Sequence, residues 1–338
     1  MAEFESTLHP VAISHVMVNF AAGLGVDRET CLLGTGITDA DLQDGEALIT
    51  RGQEMRLVEN LILALPDEPA LGFRLGLEYN LATFGTWGFA LRTSRTLREA
   101  VARAMRYLPL STAYCHIFEF AEADRFSIGM DPTRIPDHLR QFLLERDMAT
   151  AVHLLKELSL SSVDILALTF RELPDGHAPQ IERLCGIAPV AGHERNSIQV
   201  HAETADQPLP TYDPHLVRML DDQCRQRLER LQTSTLAGQV RQKLHGSAGL
   251  LASLDEIAHA LGLSQRSLRR KLDQEGTSFR TLVEDERREL ALQLLTGSDM
   301  RLDEVAIHLG YTDTASFTRA FRRWMGCSPG AYRQKQSS

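Results

Sequence analysis

The sequence is poor in the features that mark secreted and membrane-spanning proteins. Its five cysteines are scattered along 338 residues without a C-x-x-C pair, which argues against a disulfide framework and favours a reducing compartment. No apolar run approaches the ~20 residues of a membrane helix. The acidic start, MAEFE, lacks the basic region of a signal peptide. We therefore predict a cytoplasmic protein that does not associate with a membrane.

Signatures of catalysis are missing as well. The chain contains no G-x-x-x-x-G-K-[ST] loop and no G-x-G-x-x-G turn. Its twelve histidines include no H-x-x-x-H pair. The adjacent carboxylates Asp221 and Asp222 fall on the exposed face of a predicted helix. We predict no enzymatic activity, no metal site and no cofactor.

A uniform excess of positive charge, which would mark a nucleic-acid-binding surface, is also absent, since the net charge is −9. The charge is unevenly distributed, however. Residues 235–338 hold 15 Lys and Arg against 12 Asp and Glu, for a net charge of +3, whereas residues 1–234 carry −12. This asymmetry fits a DNA-facing module joined to an acidic partner domain, provided that the arginines cluster on one face.

One short pattern occurs twice in the basic part, about 48 residues apart: LDEIAHALGLS at 254–264 and LDEVAIHLGYT at 302–312. In the first copy, Ile257, Ala258 and Leu261 have the spacing of a buried helix face, and the small alanine lets a second helix cross closely. A glycine then allows the chain to turn, and a serine or threonine can cap the next helix. The repeat predicts two tandem helix-turn-helix units and therefore a DNA-binding protein.

The second helix of each unit carries the side chains expected to contact DNA. An arginine fork matches the O6 and N7 atoms of guanine, glutamine can pair with adenine, and small side chains can contact thymine methyl groups. Solvated helix faces also carry arginines, but here both units place them in corresponding positions. The predicted DNA contacts are Gln265, Arg266, Arg269 and Arg270 in the first unit, and Thr314, Ala315, Thr318, Arg319, Arg322 and Arg323 in the second, with Arg322 and Arg323 assigned to phosphate.

A continuous amphipathic pattern at residues 279–295 predicts a rigid helix between the two units. If that helix holds the recognition helices about 34 Å apart on one face of DNA, one chain can contact two successive segments of the major groove.

The first two hundred residues mix helical and strand periodicity without regular alternation, which predicts an α+β domain. Strand patterns cover 114–120, 125–130, 163–171 and 197–202. An amphipathic helix follows, with Leu216, Met219 and Cys224 on its predicted inner face. This helix could be the last helix packed on the domain, or it could form a dimer interface. The predicted divisions are an effector and dimerisation domain at 1–210, a connector helix and linker at 211–234, and an all-α DNA-binding domain at 235–338.

Aromatic residues of the first domain suggest a ligand pocket. Ordinary core packing with surface arginines is the alternative interpretation. The candidate effector-binding residues are Trp87, Phe89, Tyr107, Tyr114 and Phe118, with Arg92 or Arg95 as an anchor for an anion.

The last third of the chain resembles the AraC/XylS family of bacterial transcription regulators. Besides the twin motifs it shares GTSF at 276–279, SFTRAFRR at 316–323 and the closing GCSPGAYR at 326–333. The segments 85–100 and 107–110 resemble the arabinose-binding-like effector domain of one branch of the family. The resemblance implies two helix-turn-helix units joined by a long helix. As partners it implies double-stranded DNA, a small-molecule effector, RNA polymerase and a second copy of the chain.

We therefore expect a transcription regulator, an activator by resemblance, that responds to an effector through its N-terminal domain. Two alternatives stay open. The N-terminal domain could instead sense a protein partner or thiol oxidation, or it could be an enzyme fused to a DNA-binding module.

Overall fold

The computed structural model describes residues 7–336 except 46, 123, 161–162, 246–248 and 298–299. The chain forms two compact units, one spanning Thr7–Leu231 and the other covering the chain from Gln232 onward. The first unit combines helices with two antiparallel sheets, and the second is built from helices. This confirms the predicted combination of an α+β domain with an all-α domain. In the part of the chain that is described, no helix is both long and apolar enough to cross a membrane.

The first unit begins with short helices and ends with a long one. Its elements are, in chain order, β1 (Leu8–Pro10), α1 (Ala12–Gly23), α2 (Arg28–Leu32), α3 (Asp39–Gln43), β2 (Leu48–Thr50), α4 (Arg51–Ala64), α5 (Leu71–Gly76), α6 (Thr86–Arg92), α7 (Leu97–Arg106), β3 (His116–Glu122), β4 (Arg125–Asp131), α8 (Asp137–Leu158), β5 (Ile165–Thr169), α9 (His177–Cys185), β6 (Asn196–His201), α10 (Ala202–Asp206) and α11 (Pro214–Thr233). Two 3-10 helices lie at Leu81–Phe84 and Leu108–Leu110.

The main sheet has the strand order β3-β4-β6-β5, and each neighbouring pair is antiparallel. The strands β3 and β4 form the hairpin that the alternating pattern predicts, with His116 opposite Asp131. Strand β4 is buried along most of its length because it lies inside the sheet and both its faces are covered. A separate two-stranded sheet pairs β1 with β2, which the sequence did not predict.

Two glycines let α5 lie directly against α8. A Cβ atom at Gly72 would stand 2.1 Å from the carbonyl oxygen of Phe142, and one at Gly76 would stand 2.3 Å from the carbonyl oxygen of Arg146. Neither distance is physically possible, so the two backbones touch only because these side chains are absent. This close contact places the segment that follows α5, including Tyr79, beside the middle of α8.

Helix α8 buries a cluster of charged residues, which we call the buried ion cluster: His9, Glu54, Arg146 and Asp147. Arg146 is 1% exposed, and it pairs with Glu54 at 2.7 Å and Asp147 at 2.9 Å. His9 Nε2 lies 2.7 Å from Glu54 Oε2. Burial alone would raise the pKa of Glu54, but the neighbouring His9 and Arg146 lower it to about 2. The Arg146 guanidinium therefore compensates the buried carboxylates of Glu54 and Asp147.

Helix α11 packs on the first unit through its middle. The Cys224 side chain is fully buried, and Arg227 Nη1 donates a hydrogen bond to Thr86 Oγ1 at 3.1 Å. The prediction that Leu216 and Met219 lie on the inner face is wrong within this unit, because they are 41% and 48% exposed. The Cys224 thiol also contacts the Thr86 carbonyl, and Arg103 Nε of α7 donates to Asp221 Oδ1 at 3.3 Å. The helix is therefore held by polar contacts to α6 and α7, and its first turns keep apolar side chains in solvent.

The second unit contains two hydrophobic cores joined by one helix. Its helices are α12 (Leu236–His245), α13 (Leu254–Ala260), α14 (Gln265–Gln274), α15 (Phe279–Gly297), α16 (Leu302–His308), α17 (Thr314–Met325) and α18 (Pro329–Gln336). Helix α15 contributes Leu282 to the first core and Ala291 and Leu295 to the second. Its 19 residues span about 28 Å. Because each end is buried in a different core, α15 fixes the spacing of the two helix-turn-helix units, as its amphipathic pattern predicts.

Candidate nucleic-acid interface and ligand cavity

The first helix-turn-helix unit is α13 followed by α14. A capping box starts α13: Ser253 Oγ accepts from the Glu256 amide at 3.3 Å, and the Glu256 carboxylate accepts from the Ser253 amide at 2.7 Å. Ile257 and Ala258 are buried against the first core. The chain then turns at Gly262, whose φ of +66° favours glycine. Ser264 Oγ accepts from the Ser267 amide at 3.2 Å and so caps α14, as predicted.

Helix α14, the first recognition helix, buries one face and exposes arginine on the other. Leu268 and Leu272 are fully buried, whereas the four predicted DNA contacts are exposed: Gln265, Arg266, Arg269 and Arg270. Gln265 Nε2 donates to Asp255 Oδ1 at 2.8 Å, which holds its amide against the preceding helix. Throughout the described ranges, the three arginines form no ion pair. Their guanidinium groups are therefore available to bases or phosphates.

The second helix-turn-helix unit is α16 followed by α17, with the turn at Gly310, where φ is +78°. The residue that caps α17 is Asp313, whose carboxylate accepts from the Ser316 amide at 2.6 Å. Phe317 and Phe321 are fully buried, and Trp324 packs against the same core. This matches the apolar stripe expected from their spacing.

Helix α17, the second recognition helix, presents a more mixed surface. Arg319 and Arg322 are exposed, as is Ala315, while Thr314 and Thr318 are half-buried. Arg319 donates to Ser316 Oγ at 2.9 Å. Arg323 Nη2 lies 3.3 Å from Glu284 Oε1 on α15, so part of its charge is already compensated. Arg322 makes no ion pair with any residue that the structure describes.

The two helix-turn-helix units also touch each other around Arg287 of α15. Its guanidinium donates to the Leu250 carbonyl at 3.3 Å and stacks over the Tyr311 ring at 5.2 Å. Leu251 lies against Gly310, where a Cβ atom would stand 2.6 Å from its Cδ2. These contacts add to α15 in joining the two helix-turn-helix units.

The first unit contains a largely apolar cavity of about 90 Å³. Its lining comes from α6, α7, α8, the main sheet and the segment after α5. The lining residues are Tyr79, Phe84, Trp87, Leu91, Ala100, Val101, Ala104, Met105, Leu108, Ser111, Thr112, Ala113, Ile117, Ile128, Met130, Arg146, Asp147, Thr150, Ala151, Leu154, Leu155 and Leu158.

Of the five aromatic candidates and the two candidate arginines, only Trp87 lines this cavity, so Phe118 and Arg95 lie outside it with the others. Phe89 is 48% exposed, and Arg92 lies 3.5 Å from Glu157 in a partly exposed ion pair. Tyr107 and Tyr114 are buried, but their hydroxyl groups donate to the carbonyls of Asp221 and Arg51, at 3.4 and 3.2 Å. An anion anchor at Arg92 therefore has no place in this cavity.

Sequence reasoning missed Tyr79, Arg146 and Asp147, which line the cavity with Trp87. One signal was available for two of them. Arg146 and Asp147 interrupt an otherwise apolar stretch of a long helix, and charged residues in such a place are buried only when they are paired. Nothing near Tyr79 in the sequence distinguishes it from an ordinary core tyrosine.

The cysteines give little support to a thiol-based sensor. Burial raises the pKa of Cys31, Cys115 and Cys185, and it raises the pKa of Cys224 to about 11. Since the thiolate is the reactive form, these four thiols are poorly suited to rapid oxidation. Cys327 is half-buried in the second unit.

Two capped helix-turn-helix units, joined by a rigid helix and exposing arginine on their second helices, define a DNA-binding transcription regulator. Residues 25–209 match the family described as "Arabinose-binding domain of AraC transcription regulator, N-term", and residues 257–335 match "Helix-turn-helix domain". The chain belongs to the AraC family of transcription regulators.

Known relatives extend along the whole chain. An uncharacterized HTH-type transcriptional regulator of Mycobacterium tuberculosis is 34% identical over 335 residues, which cover 97% of this chain and 96% of the relative. The ornithine utilization regulator of Pseudomonas aeruginosa is 28% identical over 335 residues, covering 98% of each chain. The crystal structure of the transcriptional regulator CdpR from Pseudomonas aeruginosa is similar over 83% of this chain and 91% of that one, with 26% identity and a TM-score of 0.43.

Proposed function

We propose that the protein is a sequence-specific transcription activator that contacts two successive major-groove segments and responds to a small-molecule effector. The observation that carries the DNA-binding part is the exposed arginine face of α14, whose three arginines form no ion pair with any described residue. An exposed face with three cationic side chains attracts anions. DNA phosphate and guanine edges are the ligands that match it.

We assign base contacts to Gln265, Arg266 and Arg269, with Arg270 shared between base and backbone. In the second recognition helix the base contacts fall to Thr314, Ala315, Thr318 and Arg319, and the phosphate contacts to Arg322 and Arg323. The ion pair between Arg323 and Glu284 supports a weaker contribution from Arg323 than from Arg322. The small, partly buried side chains of α17 support weaker sequence dependence in the second half-site than in the first.

The test of this assignment compares cognate with random DNA. The operator is first obtained by mapping genomic binding sites or by selection from random duplexes. Substitution of Arg266 or Arg269 by Ala should cost about 1–3 kcal/mol on the cognate duplex and much less on random DNA, because a base contact is lost. Arg225→Ala, which removes an exposed arginine of the first unit, is the matched control and should leave both affinities unchanged. Equal losses on both duplexes would instead make the two arginines phosphate contacts.

We further propose that the chain dimerises through its first unit and that effector binding shifts which arrangements of the two DNA-binding units are populated. The exposed apolar Leu216 and Met219 on α11 support a dimer contact at that helix. Activation implies a contact with RNA polymerase, which the family resemblance favours. The dimer contact is tested by sedimentation of the full chain that carries both Leu216→Ser and Met219→Ser. If the double variant remains a dimer, the dimer interface does not involve this part of α11.

A further inference from the structure

The cavity of the first unit contains two buried hydrogen-bond donors without an acceptor. Tyr79 is 1% exposed and Trp87 is 5% exposed. Neither the Tyr79 hydroxyl nor the Trp87 Nε1 atom has a hydrogen-bond partner among the described residues. Leaving a buried donor unpaired is unfavourable, and native proteins rarely do so without a reason. Both residues line the same cavity.

The rings that carry these two donors lie at one end of the cavity. The Tyr79 and Trp87 rings each pack edge-on against Phe84, with ring centroids 6.4 and 5.0 Å from its own. We call this end the aromatic corner, formed by Tyr79, Phe84 and Trp87. The corner offers a ligand two side chains whose buried donors have no partner among the described residues, and apolar surface from the third.

Among the described lining residues, Tyr79 and Trp87 are the two with a fully buried polar side-chain atom that lacks a partner, whereas three others already have theirs. Ser111 Oγ donates to the Leu108 carbonyl at 2.7 Å, and Thr150 Oγ1 donates to the Arg146 carbonyl at 2.8 Å. Asp147 Oδ2 accepts the amides of Tyr114 and Cys115, both at 2.8 Å. The unmatched hydrogen-bonding capacity is therefore concentrated in the aromatic corner.

The charge at the cavity wall is also balanced. Arg146 is the cationic side chain in the lining, and its guanidinium pairs with Glu54 and Asp147 and donates to the Thr112 carbonyl at 2.7 Å. A bound anion would have to compete with two buried carboxylates for it. A bound cation would meet an apolar wall with no free carboxylate. A charged ligand would therefore lose its hydration without compensation.

We propose that this cavity binds a small, neutral, mainly apolar molecule whose carbonyl-type oxygen accepts hydrogen bonds from Tyr79 Oη and Trp87 Nε1 in the aromatic corner. This inference rests on the proposed effector response and names the chemical class of the effector: a ketone, ester, lactone or amide of low mass. The volume of the cavity limits the size of the ligand. Benzene occupies cavities of about 150 Å³, so about 90 Å³ holds a short chain or small ring unless lining side chains move.

The experiment uses three probes of similar size on the full chain. Cyclopentanone supplies a carbonyl oxygen, cyclopentane supplies the same ring without an acceptor, and butanoate, which has as many heavy atoms as cyclopentanone, supplies a charged carboxylate. Binding is followed by ligand-observed NMR titration and by the fluorescence of Trp87, with Trp324 of the second unit as a constant background. We expect saturable binding of cyclopentanone, weaker binding of cyclopentane and no saturable binding of the carboxylate.

Tyr79→Phe removes one donor with almost no change of shape. Trp87→Phe removes the other donor but also replaces the indole by a smaller ring, so its binding is followed by NMR and is compared with that of cyclopentane to the same variant. Each should weaken cyclopentanone about 3- to 10-fold relative to cyclopentane, the change expected for one neutral hydrogen bond. Tyr79→Phe should also raise the unfolding temperature of the ligand-free protein, because it deletes an unpaired buried hydroxyl. Tyr107→Phe is the matched control, since its hydroxyl is buried outside the cavity, and it should bind all probes as the natural chain does.

Three results would overturn the proposal. The first is that cyclopentanone fails to show saturable binding, which would leave the cavity to solvent. The second is that its affinity is unchanged in both donor variants, and the third is that the carboxylate binds more tightly than the ketone. Operator binding is measured on the same preparations. Because ketone binding needs no DNA, loss of operator binding alone counts against the proposed function, and loss of ketone binding alone counts against this inference.

Discussion

Substitution of Glu54 by Gln tests the buried ion cluster of the first unit. Glu54 is fully buried between His9 and Arg146, and its pKa falls from 4.5 to about 2. At about 1.4 kcal/mol per pKa unit, this shift corresponds to about 3 kcal/mol of stabilisation of the ionised form. Glu54→Gln keeps the shape and removes the charge, so the free energy of unfolding at pH 7 should fall by about 3 kcal/mol. The unfolding temperature should fall by roughly 6–12 °C.

The pH dependence follows from the direction of the shift. A carboxyl whose pKa is lowered by folding contributes its full stabilisation above the unfolded pKa of about 4.5 and loses it as the pH falls through about 2. The difference between the natural chain and Glu54→Gln should therefore shrink to about 1.4 kcal/mol at pH 3. Urea titrations followed by circular dichroism at both pH values measure it, with the exposed Glu203→Gln as the matched control. A difference in the free energy of unfolding below about 0.5 kcal/mol at pH 7, as for an ordinary surface substitution, would show that the ionised Glu54 does not stabilise the fold.

Two further predictions concern backbone packing and phosphate contacts. Gly72→Ala would press a methyl group against the Phe142 backbone and should cost about 1–3 kcal/mol in thermal unfolding, whereas Gly23→Ala, in a helix with open space around it, should be neutral or slightly stabilising. Equal stabilities of the two variants would contradict the close contact of α5 and α8. Arg322→Ala should weaken cognate and random DNA alike and reduce the salt dependence of log Kd by about one unit; a loss confined to cognate DNA would make Arg322 a base contact.

The helix-turn-helix units were predictable because their determinants are local. Ser264 caps the helix that starts at the next residue, and Leu268 and Leu272 recur at helical spacing on its inner face. The capping residue of the second recognition helix is Asp313 and not Thr312, the hydroxyl residue at the corresponding place of the repeat. Short-range signals of this kind need no knowledge of tertiary structure. The same holds for the β3–β4 hairpin, whose strands alternate and are separated by a short turn.

The cavity was not predictable because it is assembled from distant parts of the chain. Tyr79 and Trp87 are close in sequence. The cavity wall that they share is completed by α8, which lies more than fifty residues later in the chain. The pairing of β1 with β2 joins three-residue strands about 40 residues apart, too short for any periodic signal. For the same reason, Leu216 and Met219 matched a buried helical face in sequence, although within the first unit nothing covers them enough to bury them.

We propose that one chain places two recognition helices in successive major-groove segments on one side of DNA. This arrangement is tested by hydroxyl-radical and methylation footprinting of the full chain on its selected operator. Each bound chain should protect two major-groove segments about 10–10.5 base pairs apart. Their spacing should be fixed, because α15 is buried in both cores, so inserting five base pairs between the segments should abolish protection of one of them. A single protected segment per chain, or two segments that tolerate the insertion, would contradict the claim.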